Sequence, residues 1–143
     1  MEFEGKIWKD GKFWLIEVPS LNLMTQGKTQ KESLAMLQDA IKGLVECYFK
    51  SEMERDFSIT VHKYGKGTVG VTSNDTRLLL ALSLRKQREK SGSTIREASE
   101  RLGSKSPNAY AQYERGTINI SLDKYEALLS AANPADRRYL RVI

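Results

Sequence analysis

The sequence predicts an α+β protein: a small antiparallel sheet with one covering helix, followed by an all-α domain built on a helix-turn-helix. Three observations carry this. The first residues alternate apolar and polar about an Asp-Gly turn, a long amphipathic helix follows, and every periodic segment after Arg77 has helical spacing with a glycine turn between two of its helices. The expected division is a sheet-and-helix domain over 1–63, a linker over 64–75 and the helical domain over 76–143.

In the first half, Phe3, Gly5 and Ile7 alternate with Glu4, Lys6 and Trp8; Lys9-Asp10-Gly11-Lys12 carries the turn, and Phe13 to Val18 returns as a second strand. Pro19 ends that strand, and Leu21 to Gly27 can hold a short third one. Thr29-Gln30-Lys31-Glu32 is a capping box, in which threonine and glutamate satisfy each other's orphan amides. From there Leu34, Leu37, Ile41, Leu44, Val45 and Tyr48 share one helical face, while Lys31, Gln38, Lys42 and Glu46 fall away from it. That face needs a sheet beneath it, and Phe57 to His62 alternates as a further strand. Residues 1 to 72 are therefore expected to fold alone.

The second half reads as helices. Asn74-Asp75-Thr76 offers caps for one beginning near Arg77, with Leu78, Leu79, Ala81 and Leu82 inward. Thr94 to Gly103 opens on hydroxyl residues, places Ile95, Ala98 and Leu102 on one face, and ends on a glycine suited to a left-handed cap. Ser106-Pro107 supplies an N-cap hydroxyl and a proline at the first helical position. The helix it starts has Tyr110 and Tyr113 inward and Asn108, Ala109 and Gln112 outward. Ser121 caps another helix through Leu122, Tyr125, Leu128 and Leu129 to Asn133-Pro134. Asp136 to Ile143 can extend the bundle, pair with a second subunit or fray.

Composition narrows the classes. A hydrophobic content of 40% suits a folded core, and a single cysteine, Cys47, excludes an internal disulfide framework. Met1-Glu2-Phe3-Glu4 lacks a secretory n-region, and the longest apolar stretch, Leu78 to Leu82, falls far short of the roughly 20 residues of a membrane span. A cytoplasmic protein without a membrane partner is expected. The formal charge of +5 lies wholly in residues 74–143, as suits a nucleic-acid partner. The run Arg85-Lys86-Gln87-Arg88-Glu89-Lys90 is equally the solvated face of a helix.

Residues 77 to 132 resemble the phage-repressor (XRE) type of helix-turn-helix. Ala98, Leu102-Gly103, Ser106, Tyr113 and Glu114-Arg115-Gly116 match its pattern; Ile95 stands where that family has glutamine, and Ser104-Lys105-Ser106 makes the turn one residue longer. The resemblance implies that the second helix lies in the DNA major groove. Asn108, Ala109 and Gln112 would then read bases, and Ser104, Lys105, Ser106, Arg115 and Thr117 would hold phosphates. One module reads few base pairs, so a homodimer or larger homo-oligomer on an inverted repeat of double-stranded operator DNA is expected.

Residues 1 to about 63 resemble the N-terminal domain of the HicB antitoxin family, a partial ribonuclease H fold. The likeness rests on the hairpin, Pro19, and Thr25-Gln26-Gly27-Lys28-Thr29-Gln30-Lys31-Glu32; Ser20 replaces the family's aspartate, and Asn22-Leu23 replace its Gly-Cys pair. It implies an antitoxin that neutralises a HicA-like toxin, a small basic ribonuclease acting on messenger RNA, and represses its own operon. The alternative is a free-standing XRE-type regulator.

Enzymatic readings are weaker. Gly65-Lys66-Gly67-Thr68-Val69-Gly70 spells G-x-G-x-x-G, yet Val69, Val71 and Thr72 favour strand or loop where a phosphate-binding helix would have to begin, so the segment is expected as turn and linker. One histidine, His62, and Cys47 are too few for the usual zinc site. Glu17, Asp39 and Glu46 are the carboxylates a metal-dependent nuclease would draw on, and solvated charge is the simpler account of them. No catalysis, cofactor or metal is expected.

Overall fold

The computed structural model describes residues 1–135. Strands β1 (Phe3–Asp10) and β2 (Phe13–Val18) form the expected hairpin, with Gly11 at φ 60° in its turn. Pro19–Leu21 then makes a 3-10 turn, and Asn22 at φ 49° redirects the chain into β3 (Leu23–Gly27), two residues later than the sequence suggests. Helix α1 spans Gln30–Phe49. Thr29 Oγ1 accepts from Glu32 N at 3.0 Å, while the Glu32 carboxylate accepts from Lys28 N at 3.3 Å, so the expected reciprocal box is shifted by one amide. Ser33, Leu37, Ile41, Val45 and Phe49 recur every fourth residue as its buried line, with Leu34, Leu44 and Tyr48 half-buried beside it.

Strands β4 (Ile59–Gly65) and β5 (Thr68–Ser73) complete an antiparallel sheet of order β3-β2-β1-β5-β4. This corrects the expected linker over 64–75. Gly65, Lys66 and Gly67 form a tight turn with positive φ at all three, and β5 runs between β1 and β4 with Val69 and Val71 in the core. A segment ending at residue 63 would lack the strand that joins β4 to the sheet. Glycines misled because they mark turns as readily as linkers; the alternation of Val69 and Val71 was the better signal.

Helix α2 (Thr76–Ser91) starts as expected, Asp75 accepting from Leu78 N at 3.4 Å. Every residue from Leu78 to Leu84 is buried, including Leu80 and Leu84, which a one-faced helix would leave outside. The reason is position: α2 packs on α1, β5 and the 3-10 turn, and also on α4 (Asn108–Glu114) and α5 (Leu122–Ala132). A helical stretch buried all round, as Leu78 to Leu84 is, is an interior one, while Glu89 to Ser91 at the end of α2 are exposed. Phe3 of β1 meets the Tyr125 ring at 6.5 Å, and one continuous hydrophobic cluster runs from Phe3 to Ala132.

The halves are thus not independent, contrary to the expectation for residues 1 to 72. Cut at Ser73, the first half would expose what α2 and α5 cover. Fully buried Gln87 sits at this junction. Its Nε2 donates to the Pro19 and Ser20 carbonyls at 2.8 and 3.0 Å, and its Oε1 accepts from Asn133 Nδ2 at 3.0 Å. One side chain therefore ties the 3-10 turn, α2 and the end of α5 together. The expectations for Asp136 to Ile143 lie outside the described residues.

Candidate nucleic-acid interface

Helix α3 (Ile95–Arg101) opens on a full capping box: Thr94 Oγ1 accepts from Glu97 N and the Glu97 carboxylate accepts from Thr94 N, each at 3.1 Å. Hydrogen bonding from the Thr94 backbone N–H, and then from the Thr94 side chain, holds the Glu97 carboxyl below its usual range. Gly103, at φ 85°, turns the chain, and Ser104 Oγ accepts from Ser106 N at 3.1 Å. The expected cap of α4, Ser106, lies one residue outside; Pro107 occupies that place and makes no side-chain cap bond. The hydroxyl comes instead from α3. Buried Ser99 Oγ accepts from Tyr110 N at 3.1 Å and donates to the Pro107 carbonyl at 2.8 Å, stitching the two helices together.

On its inner side α4 is anchored at three points. Tyr110 is fully buried, its hydroxyl donating to the Leu84 carbonyl at 3.4 Å, and burial followed by the Glu114 charge raises its pKa. Glu114 takes a forked pair from Arg88: Nη2 donates at 2.7 Å to one oxygen and Nε at 2.9 Å to the other. The Glu114 side chain is 8% exposed and Arg88 17%, so this pair is largely out of water, and the Glu114 hydrogen bond raises the Arg88 pKa. Gly116, at φ 77°, then lets the chain leave against Leu78 and Phe49. The exit of α4 is thereby fixed against α2 and, through Phe49, against α1.

On the outer side Asn108, Lys105, Ser106, Arg115 and Thr117 are exposed, and Ser104, Ala109 and Gln112 half-buried. The basic run on α2 is largely engaged elsewhere: Arg85 lies 3.7 Å over the Tyr48 ring, Arg88 holds Glu114 and Gln87 is interior. Arg101 donates to Ser93 Oγ and the Ala131 carbonyl, and Lys124 lies 5.1 Å from the Tyr113 ring. Arg96, Lys105 and Arg115 differ: all are exposed, without hydrogen bond or ion pair among the described residues. They stand at the start of α3, in the turn, and at the end of α4.

Residues 84–135 match the family model described as Helix-turn-helix. This part of the chain is an XRE-type helix-turn-helix domain. No curated protein matches the chain, and the HicB resemblance of residues 1 to about 63 has no counterpart in these comparisons.

Outside the helix-turn-helix domain, the tempting catalytic residues are not brought together. His62 shares the sheet face turned away from α1 with Glu17, whereas Cys47, Asp39 and Glu46 are exposed on α1. His62 Nδ1 lies 3.3 Å from the buried Glu2 carboxylate, which also accepts from the Tyr64 hydroxyl. Gly70 makes room for that carboxylate, so the group anchors the chain start on the sheet. Among the described residues no helix is long and apolar enough to cross a membrane. Sequence reasoning missed two contributors to the helix-turn-helix domain. Ser99 had no signal beyond its neighbour Ala98 facing inward. Arg96 had one: a cation in the first turn of a helix, where the dipole disfavours it, calls for an external reason.

Proposed function

We propose that the chain is a sequence-specific DNA-binding regulator that docks α4 in the major groove of an operator. One observation carries this: the exposed cations Arg96, Lys105 and Arg115, without partners among the described residues, stand at the start of α3, in the turn and at the end of α4, the helix that carries exposed Asn108 and half-buried Gln112. Asn108 and Gln112 carry amides able to pair bidentately with adenine edges, with Ala109 beside them. Lys105, Arg115 and Arg96, with Ser104, Ser106 and Thr117, take phosphates. Gln112→Ala is expected to relax preference at one base position by about 1–3 kcal/mol. Lys105→Ala and Arg96→Ala should weaken all sequences alike, each lowering the salt slope by about one. Equal losses on operator and random DNA for all three variants would overturn the assignment.

The finer reading is that this regulator is a HicB-like antitoxin, whose sheet-and-helix half silences a HicA-like toxin. The hairpin, Pro19 and the capped helix of the resemblance support it, and the arrangement of sheet and covering helix suits a protein-binding half. The alternative, a free-standing regulator, rests on the helix-turn-helix alone. A short basic protein with one central histidine, encoded beside this chain, is the partner to test. Gln112→Ala should still rescue cells expressing it while losing repression; failure of the unaltered chain to rescue them leaves the free-standing regulator.

A further inference from the structure

The two edges of the sheet differ. At the β4 edge the pairing shifts register between Lys63 and Gly65, and the strand carries Lys63; a bulge and a lysine keep an edge from acquiring another strand. At the other edge β3, Leu23-Met24-Thr25-Gln26-Gly27, has no charge, no proline and no register shift. It bonds to β2 on one side, and among the described residues no backbone hydrogen bond leaves its other side. Beside it, on the face turned from α1, Met24 is 55% exposed, Phe13 40% and Trp8 37%, with Leu15 directly opposite Trp8.

We propose that β3 pairs antiparallel with β3 of a second copy of this chain across a two-fold axis, joining the two sheets into one. Directly opposed residues must point to the same face, so the axis passes through a residue rather than between two. Centred on Thr25, the pairing uses the whole strand and sets Met24 opposite Gln26, and Leu23 opposite Gly27, of the second copy. No like charges meet, a condition that a charged strand fails on self-pairing. Each Met24, whose neighbour on its own β2 is Glu17, then stands beside Gln26 of the second copy, with that copy's Leu15 and Trp8 next in line, so part of the Met24 surface that a single copy leaves to water is covered. The need for two copies rests on the DNA reading; the choice of surface rests on the sheet.

Sedimentation equilibrium of the full chain without DNA tests this. The unaltered protein is expected to be dimeric. Met24 and Gln26 are exposed, so charges there are compatible with the fold, which circular dichroism verifies. Met24→Lys with Gln26→Lys places lysines opposite lysines and should weaken the dimer about 10-fold, whereas Met24→Lys with Gln26→Glu sets lysine opposite glutamate and should preserve it. A chain that is monomeric at about 100 μM, or two double variants of equal mass, overturns the proposal. Because no DNA enters the measurement, its failure is distinct from a failure of the base-reading variants above.

Discussion

Several polar residues matter here through what they satisfy inside the molecule. Ser99 supplies the cap that Ser106 does not, Gln87 engages three groups from two other segments, and Arg88 holds Glu114 rather than a phosphate. Tyr125 makes this testable by pH. It is buried beside Ser83, its hydroxyl 2.6 Å from Ser83 Oγ, and burial pushes its phenol up to about 12 from the usual 10. Between those values an unfolded chain releases a proton that the folded chain keeps. The stability present below pH 10 is thus lost as pH rises through 12, and Tyr110 acts in the same direction. Urea midpoints are expected to fall from pH 9 to pH 11, and Tyr125→Phe should reduce the fall; an unchanged fall would contradict it.

At the scale of elements, the exit from α4 is the tightest constraint. Gly116 combines φ 77° with a would-be Cβ 2.9 Å from Leu78 Cδ2 and 3.1 Å from Phe49 Cδ1. Alanine there must accept a left-handed backbone, at about 1–2 kcal/mol, and push into a packed helix pair, at about 1–3 kcal/mol. Gly116→Ala should therefore cost about 2–5 kcal/mol in chemical denaturation. Gly103→Ala has the strained φ but open space around it, so it should cost only the backbone part. Equal losses would mean that contact with Phe49 does not matter.

The whole molecule should unfold as one unit, because α2 is interior to both halves and the core is continuous. Both tryptophans, Trp8 and Trp14, lie in the β1–β2 hairpin, so their fluorescence follows the sheet while the 222 nm signal follows the helices. The two transitions are expected to coincide. Gln87→Leu removes the amide from the Pro19 and Ser20 carbonyls and from Asn133 without emptying the space, and leaving buried groups unpaired costs about 1–3 kcal/mol each. It should lower stability and separate the two transitions. Coincident, unshifted curves in that variant would show that the junction holds without Gln87.

The sequence by itself determined what depends on neighbours in the chain. The Asp-Gly hairpin, the face running from Leu37 through Ile41 to Val45, the Thr94 cap and the Gly103 turn are set by periodicity and backbone preference over a few residues, and all were legible. So was the helix-turn-helix pattern, with Tyr110 inward and Asn108 outward, whereas Tyr113, expected inward, and Ala109 and Gln112, expected outward, are all half-buried. Tertiary structure decided the rest. Strand β5 was hidden behind glycines that read equally as linker, because only its place between β1 and β4 distinguishes the two. The burial of Leu80 and Leu84 depends on a helix enclosed on both sides, which no single periodicity encodes. Whether a cation meets solvent or a carboxylate is likewise set by partners far along the chain. Arg88 finds Glu114 across 26 positions while Arg96 finds none among the described residues, and that difference separates scaffold from candidate DNA contact.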